Sequence, residues 1–219
     1  MNLIAFKYGK TEINEKMAFE DGDKNIKLPI SLLFFLIETE NKKILVDVGC
    51  DTMPGFCLYE FENPISILEK YGIKKEEITD IVITHAHHDH FDCLGYYPDA
   101  KVYINENESL DVTNRFKNIK NLFAFKKDIE ICDNVIAKHI GGHSKGSSVV
   151  LIKNNDKTFV LCGDECYTME NFSKGKPTGS SINLEKSTQF INEYRKDAYI
   201  PLLMHDPNLV KEIGFKKIF

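Results

Sequence analysis

The sequence predicts a mixed α/β fold of sheets covered by helices, on three observations. Short apolar runs bounded by turn-forming residues recur through both halves of the chain, and several of them alternate as half-buried strands do. Only three segments carry helical spacing or helix-end signals, too few for an all-helical domain. With 219 residues, 42% of them hydrophobic and 28% charged, the chain has the size and composition of a single domain over 1–219 with a sizeable core.

The elements follow in order. Leu3 to Phe6, Leu32 to Ile37 and Ile44 to Val48 read as strands, and the short polar spacer from Glu38 to Lys43 makes the second and third a hairpin. Pro64 opens a short helix that carries Ile65, Ile67, Leu68 and Tyr71 and closes at Gly72. A strand over Ile78 to Ile83 comes next. Val102 to Ile104, Phe123 to Phe125, Val135 to Ile140, Val149 to Ile152, Phe159 to Leu161 and Tyr199 to Leu203 read as further strands. Helices are predicted over Glu108 to Phe116 and over Leu184 to Tyr194, where Leu184, Thr188, Ile191 and Tyr194 fall near helical spacing.

Charge and hydropathy exclude several classes of function. A net charge of -5, a pI near 5.8 and no stretch dominated by Lys and Arg argue against nucleic acid and anionic membrane surfaces as partners. The longest mostly apolar run, Leu28 to Ile37, is far short of the roughly 20 residues that span a bilayer, and the start of the chain lacks the pattern of a secretory leader. The expectation is a soluble cytoplasmic protein. Its six cysteines contain no CxxC pair and read as reduced thiols.

The most informative segment is Thr84-His85-Ala86-His87-His88-Asp89-His90, directly after an apolar strand. It holds four of the chain's seven histidines. Composition alone would place His-x-His-x-Asp-His in roughly one such chain in two thousand. If His85 and His87 leave the strand in extended geometry, their side chains point the same way and can grip one ion, while Asp89 and His90 on the turn beyond can reach a second. Imidazole and carboxylate donors suit Zn, Fe or Mn, and the lack of cysteine argues against a structural thiolate site. Such a site needs more ligands, and three further strand ends offer them: His143 in a glycine-flanked turn, Asp164 after Phe159 to Leu161, and His205 after Tyr199 to Leu203.

Asp47, the run His85 to His90, His143, Asp164 and His205 resemble, in order, the motif series of the metallo-β-lactamase superfamily over about Leu32 to His205. The resemblance implies a four-layered αβ/βα sandwich, a metallo-β-lactamase-like hydrolase domain with two divalent ions between the sheet edges, zinc first, with iron or manganese as alternatives. It also implies His85, His87 and His143 on one ion, Asp89, His90 and His205 on the other, and Asp164 bridging. Within the superfamily the chain is most similar to N-acyl homoserine lactonases, the quorum-quenching enzymes, in the segment Asp164-Glu165-Cys166-Tyr167-Thr168-Met169-Glu170-Asn171-Phe172 and in the opening hairpin. A metal-binding cysteine stands at the bridging position of class B β-lactamases, where this chain has Asp164.

What the resemblance implies for mechanism is a lactone opened by a metal-bridging hydroxide, with Tyr167 donating to the oxyanion and Asp89 carrying a proton to the leaving alkoxide. Asp47 then orients a histidine ligand. Three alternatives stay open: a glyoxalase II-like thioesterase using Lys211, Lys216 and Lys217 to hold a carboxylate, a mononuclear iron oxygenase, and a metal-binding scaffold without turnover. The expected partner is a small-molecule substrate, with the protein a monomer or homodimer. Glu106 to Lys127 looks shorter than the lactonase region that encloses an acyl chain, which predicts an open pocket with weak dependence on chain length. His88 is either an exposed spacer or a polar addition to the pocket.

Overall fold

The computed structural model describes residues 1–117 and 119–219. The first half runs β1 (Asn2–Asn14), α1 (Glu15–Ala18), β2 (Lys27–Glu38), β3 (Lys43–Val46), α2 (Pro64–Tyr71), β4 (Asp80–Val82), α3 (His88–Phe91), β5 (Lys101–Asn105), α4 (Glu106–Arg115) and β6 (Leu122–Phe125). The second half runs β7 (Asp128–Cys132), β8 (Val135–His139), β9 (Ser148–Asn154), β10 (Lys157–Leu161), α5 (Met169–Lys174), α6 (Leu184–Tyr194), β11 (Tyr199–Leu202) and β12 (Gly214–Lys217). Seven strands form one sheet in the order β12-β1-β2-β3-β4-β5-β6, and five form another in the order β11-β10-β9-β8-β7.

Alternation along the strands builds the layers. Leu3, Ala5, Leu33 and Phe35 point from the seven-stranded sheet onto Val135, Ala137 and Val150 of the other sheet. Their neighbours Ile4, Phe6, Phe34 and Leu36 point the opposite way, onto Ile67 and Leu68 of α2 and Val112 of α4. Beyond the five-stranded sheet, Val149 and Val160 pack on Phe190, Ile191 and Tyr194 of α6. The result is helix, sheet, sheet, helix. Both faces of β2 are therefore buried, which is why Leu32-Leu33-Phe34-Phe35-Leu36-Ile37 is apolar without a break. Phe6 and Phe34 are direct cross-strand partners whose rings stack at 4.9 Å, a pair worth about 0.5–1.5 kcal/mol beyond its burial.

The differences from expectation have physical reasons. β1 continues past Phe6 through a polar stretch to Asn14, because β2 pairs with it along its whole length and a register shift at Lys7/Gly9 absorbs the irregularity. Edge strands β7 and β12 show solvent one face and so lack an apolar signature. A one-turn helix, α3, stands where a turn was expected. No helix among the described residues is long and apolar enough to cross a membrane.

The strand directions also decide where chemistry can gather. β3 and β4 are parallel, so Asp47 and the histidine run leave one edge of their sheet together. β8 and β10 are each antiparallel to β9 and β11 is parallel to β10, so His143, Asp164 and His205 also follow strand ends on a common edge. The two edges meet.

Candidate metal centre

Seven side chains converge in two groups, His85, His87, His143 and Asp164 in one and Asp89, His90 and His205 in the other, each with candidate ligand atoms within 4.8 Å of one another. Asp164 faces both. Its Oδ2 lies 3.6 Å from His85 Nε2 and 3.3 Å from His143 Nε2, while its Oδ1 lies 3.1 Å from His90 Nε2 and 3.0 Å from His205 Nε2. His87 turns Nδ1 inward, 3.0 Å from Nε2 of both His85 and His143. Asp89 Oδ2 is 3.6 Å from Nε2 of both His90 and His205. His87 is in extended conformation, and the α3 turn that starts after it swings Asp89 and His90 to the second group.

Hydrogen bonds from distant segments aim these rings. Asp47 has φ 60°, a left-handed conformation that a short polar side chain tolerates, and its carboxylate accepts from the Thr84 backbone N–H and hydroxyl, both at 2.8 Å. The same carboxylate takes His90 Nδ1 at 2.7 Å, leaving Nε2 for the cluster. His205 Nδ1 donates to the Ser31 carbonyl at 2.9 Å to the same effect. Two buried glutamates, to which the sequence reading assigned no role, hold the loops. Glu108 accepts from the backbone N–H of Ala86 at 3.1 Å and of Gly146 at 2.8 Å, and from the Ser144 hydroxyl, tying the histidine run to the glycine turn. Glu165 accepts from the N–H of Gly142 at 3.0 Å and of His143 at 3.2 Å, and from the hydroxyls of Ser147 and Ser187. A Cβ at Gly142 would sit 2.2 Å from both Glu165 Oε2 and Ser187 Oγ and 2.9 Å from the Ser187 backbone nitrogen, so any other residue would break these contacts and push on α6. An acidic residue beside Asp164 at a strand end was the available signal for Glu165; for Glu108 there was none.

The cluster fits a divalent cation. His90 Nε2 and Asp164 Oδ1 are buried without a hydrogen-bond partner although they lie 3.1 Å apart, the arrangement expected of atoms that share an ion rather than a proton. Burial disfavours charge on Asp164, yet the surrounding histidines, His90 and His205 foremost, hold its carboxyl well below the usual range. Burial drives His85 far down and His143 to about 4, so both are neutral donors. At His90 and His205 burial is outweighed by nearby carboxylates, Asp164 first, which raise both. The site demands positive charge. Imidazole and carboxylate suit Zn, Fe or Mn, and the nearby Cys162 and Cys166 are packed instead in the apolar cluster under α5 and α6.

A cavity of about 260 Å³ opens onto this cluster. Tyr167 lines it, with its ring centroid 4.9 Å from that of His205 and its hydroxyl 2.8 Å from Ser180 Oγ. Burial pushes the Tyr167 phenol well above its ordinary value, so it stays a neutral donor. Ile13, Met17, Ile30, Met53, Pro54 and Phe56 form an apolar wall. None of the described residues of Glu106 to Lys127 takes part; the wall comes from β1, α1, β2 and the 53–56 loop, none of which the sequence reading had assigned to the pocket. His88 also lines the cavity, and its Nδ1 lies 2.7 Å from Asp92 and 2.8 Å from Arg115.

Comparison with known proteins agrees with the fold and the cluster. A family model described as the metallo-beta-lactamase superfamily matches residues 33–201. An N-acyl homoserine lactonase of Bacillus cereus is 27% identical over 170 residues, 65% of this chain and 67% of that one. The N-acyl homoserine lactonase AiiB of Agrobacterium fabrum is 21% identical over 227 residues, covering 83% and 80%. Among solved structures, an N-acyl homoserine lactone hydrolase with N-hexanoyl-L-homoserine bound at its catalytic metal centre superposes with a TM-score of 0.83 at 21% identity, covering 96% of this chain and 95% of that one. AidC, a dizinc quorum-quenching lactonase, superposes at 0.76 with 18% identity, covering 99% and 93%. A match across most of the chain and a shared layered fold, with histidines and aspartates gathered at the meeting sheet edges, mean that this chain belongs to the metallo-beta-lactamase superfamily.

Proposed function

We propose that the chain acts as one hydrolase domain that opens a lactone of the N-acyl homoserine type with two divalent cations, zinc in the first instance. The observation that carries this reading is Asp164, whose two carboxylate oxygens face two separate histidine groups while Tyr167 stands against His205 in the same cavity. His85, His87 and His143 would hold one cation, Asp89, His90 and His205 the other, and Asp164 both. Bound there, the cations supply Lewis acidity, which brings a water toward hydroxide near neutral pH and polarises a carbonyl.

The residues of the chain do the rest. Tyr167 donates its O–H to the oxygen that gains charge as the ring carbonyl becomes tetrahedral, an interaction needed most in the transition state. Asp89, which lines the cavity, takes up the proton released by the attacking water and delivers it to the departing alkoxide. Asp47 keeps His90 aimed inward through Nδ1. The apolar wall from Ile13 to Phe56 excludes water and seats an acyl chain. The lactonase names of the relatives support this substrate class.

The thioesterase reading is less well supported. Lys216 sits on β12, which pairs with Ala5 of β1, whereas the cavity begins at Ile13, eight residues along the strand and about 25 Å away at 3.2–3.4 Å per residue. Neither Lys211 nor Lys217 lines the cavity. The test is elemental analysis of the loaded protein together with assays on matched lactone, thioester, phosphodiester and β-lactam panels. Two ions per chain with lactone the best substrate is the expected result. A preference for thioesters, or one tightly held ion in fully loaded protein, overturns it.

A further inference from the structure

Besides the Asp164 carboxylate, the Tyr167 hydroxyl has Ser180 beside it, oxygen to oxygen at 2.8 Å. Behind Ser180 stands a file of hydroxyls. Ser180 Oγ is 3.5 Å from Thr178 Oγ1, Thr178 Oγ1 is 2.8 Å from Ser181 Oγ, Ser181 Oγ is 3.0 Å from Ser187 Oγ, and Ser187 donates to Glu165 Oε2 at 3.1 Å. Thr178, Ser187 and Glu165 are wholly buried. The file thus joins the tyrosine in the cavity to the carboxylate that holds the His143 turn.

The backbone of Ser180 is fixed independently of the tyrosine. Its N–H donates to the Met17 carbonyl at 3.2 Å. The preceding Gly179 lies so close to α1 that a Cβ would be 1.9 Å from the Lys16 carbonyl oxygen. No other residue type fits there without displacing the loop.

Each hydroxyl in the file has one hydrogen to give and can accept two. Ser187 gives its hydrogen toward the Glu165 carboxylate, the strongest acceptor in reach, with Ser181 Oγ at 3.0 Å as its other acceptor, and Thr178 and Ser181 share one hydrogen between them. The hydrogen of Ser180 has two takers, Thr178 at 3.5 Å and the phenol oxygen at 2.8 Å, and the phenol's own hydrogen has a stronger acceptor than Ser180 in the Asp164 carboxylate, so Ser180 gives to the phenol across the shorter contact.

We propose that Ser180 is a positioning residue for Tyr167: it donates to the phenol oxygen and so frees the tyrosine's own O–H to turn into the cavity toward the substrate oxygen. A phenol that accepts one hydrogen bond is polarised into a better donor of the next. The ring needs no help from Ser180 to stay in place, because it packs against His205 and in a cluster with Ile13, Ala18, Phe19 and Ile30. The role given to Ser180 rests on the lactonase reading of Tyr167, and deepens it.

The experiment is a double-mutant cycle on the metal-loaded protein with a short-chain acyl homoserine lactone. Ser180→Ala is expected to lower kcat about three- to tenfold, the scale of one neutral hydrogen bond, with KM, metal content and melting temperature unchanged. In the Tyr167→Phe background it is expected to cost nothing more, and recovery of kcat with Ser180→Thr supports the hydroxyl as the active feature. An equal loss in both backgrounds overturns the proposal. A second readout needs no turnover: with 3-fluorotyrosine incorporated, the ¹⁹F resonance of position 167, assigned by its absence in Tyr167→Phe, should shift on Ser180→Ala, and an unmoved resonance also overturns the proposal. If the wild type opens no lactone, the proposed function falls, and the fluorine resonance still decides whether Ser180 engages the tyrosine hydroxyl.

Discussion

The cluster of histidines and the apolar wall share one cavity but are built in opposite ways. Each ring in the cluster lies on a connection that follows a strand, and two of them are aimed from behind, His90 by the Asp47 carboxylate and His205 by the Ser31 carbonyl, while buried Glu108 and Glu165 pin the connecting loops. The wall is assembled from Ile13 and Ile30 at strand positions, Met17 of a one-turn helix, and a loop in which Met53 and Phe56 are half-buried and Pro54 exposed. Geometry in the first region is over-determined by hydrogen bonds, whereas the second depends on a few apolar contacts. Substitutions in the cluster should therefore destroy activity, and substitutions in the wall should redirect it.

The largest effect is expected from Asp164→Ala. Removing the carboxylate that faces both histidine groups should cost the protein both ions by elemental analysis and reduce lactone turnover to background, as chelation of the wild type should also do. Full metal content in this variant would break the distinction between the two regions at its strongest point.

Tyr167→Phe keeps the ring and every proposed ligand, so folding and metal content should be normal. The expected loss in kcat is about a hundredfold, or about tenfold where a cation shares the same oxygen. Steady-state kinetics on the best lactone checks it, and wild-type turnover would reduce Tyr167 to packing.

Asp47→Asn is a finer probe of over-determination. Asparagine accepts the left-handed backbone at this position, so the loop should survive, but the charged acceptor for His90 Nδ1 and the Thr84 N–H is lost. Metal titration should show about 10–100-fold weaker binding at the site that includes His90, with the other site little changed.

The smallest effect sharpens the other side of the comparison. Phe56→Ala should leave metal content and melting temperature near wild type while flattening the preference for longer acyl chains. A fully enclosed methylene is worth about 0.8 kcal/mol, or about fourfold in kcat/KM, and a wall open on one side should give less. Competition between butanoyl and hexanoyl lactones measures this. An unchanged ratio would mean that the acyl chain does not lie along this wall.

Local sequence was enough for much of the fold and for the candidate ligands, because the physics that selects those residues is local. A strand buried on both faces leaves an unbroken run such as Leu32 to Ile37, and an amphipathic helix leaves the spacing that matched α6 over Leu184–Tyr194. The grouping of His85, His87, Asp89 and His90 within six residues marks a candidate coordination site, since few other demands concentrate those side chains after a strand. Edge strands β7 and β12 escaped because half-solvated strands need no apolar run.

Tertiary structure alone decided the rest. His205 is aimed by the carbonyl of Ser31, 174 positions away, and Glu108 reaches Gly146 across 38. No periodicity records such pairs, since each depends on which strands lie side by side. The wall went unassigned for the same reason: reading along the chain showed only that Glu106–Lys127 is short, while the fold brings Ile13, Ile30 and Phe56 to the cavity. A glutamate in a polar stretch looks solvated until the fold buries it among donors, so the Glu108 contacts and the hydroxyl file from Ser180 to Glu165 exist only once the two sheets have met.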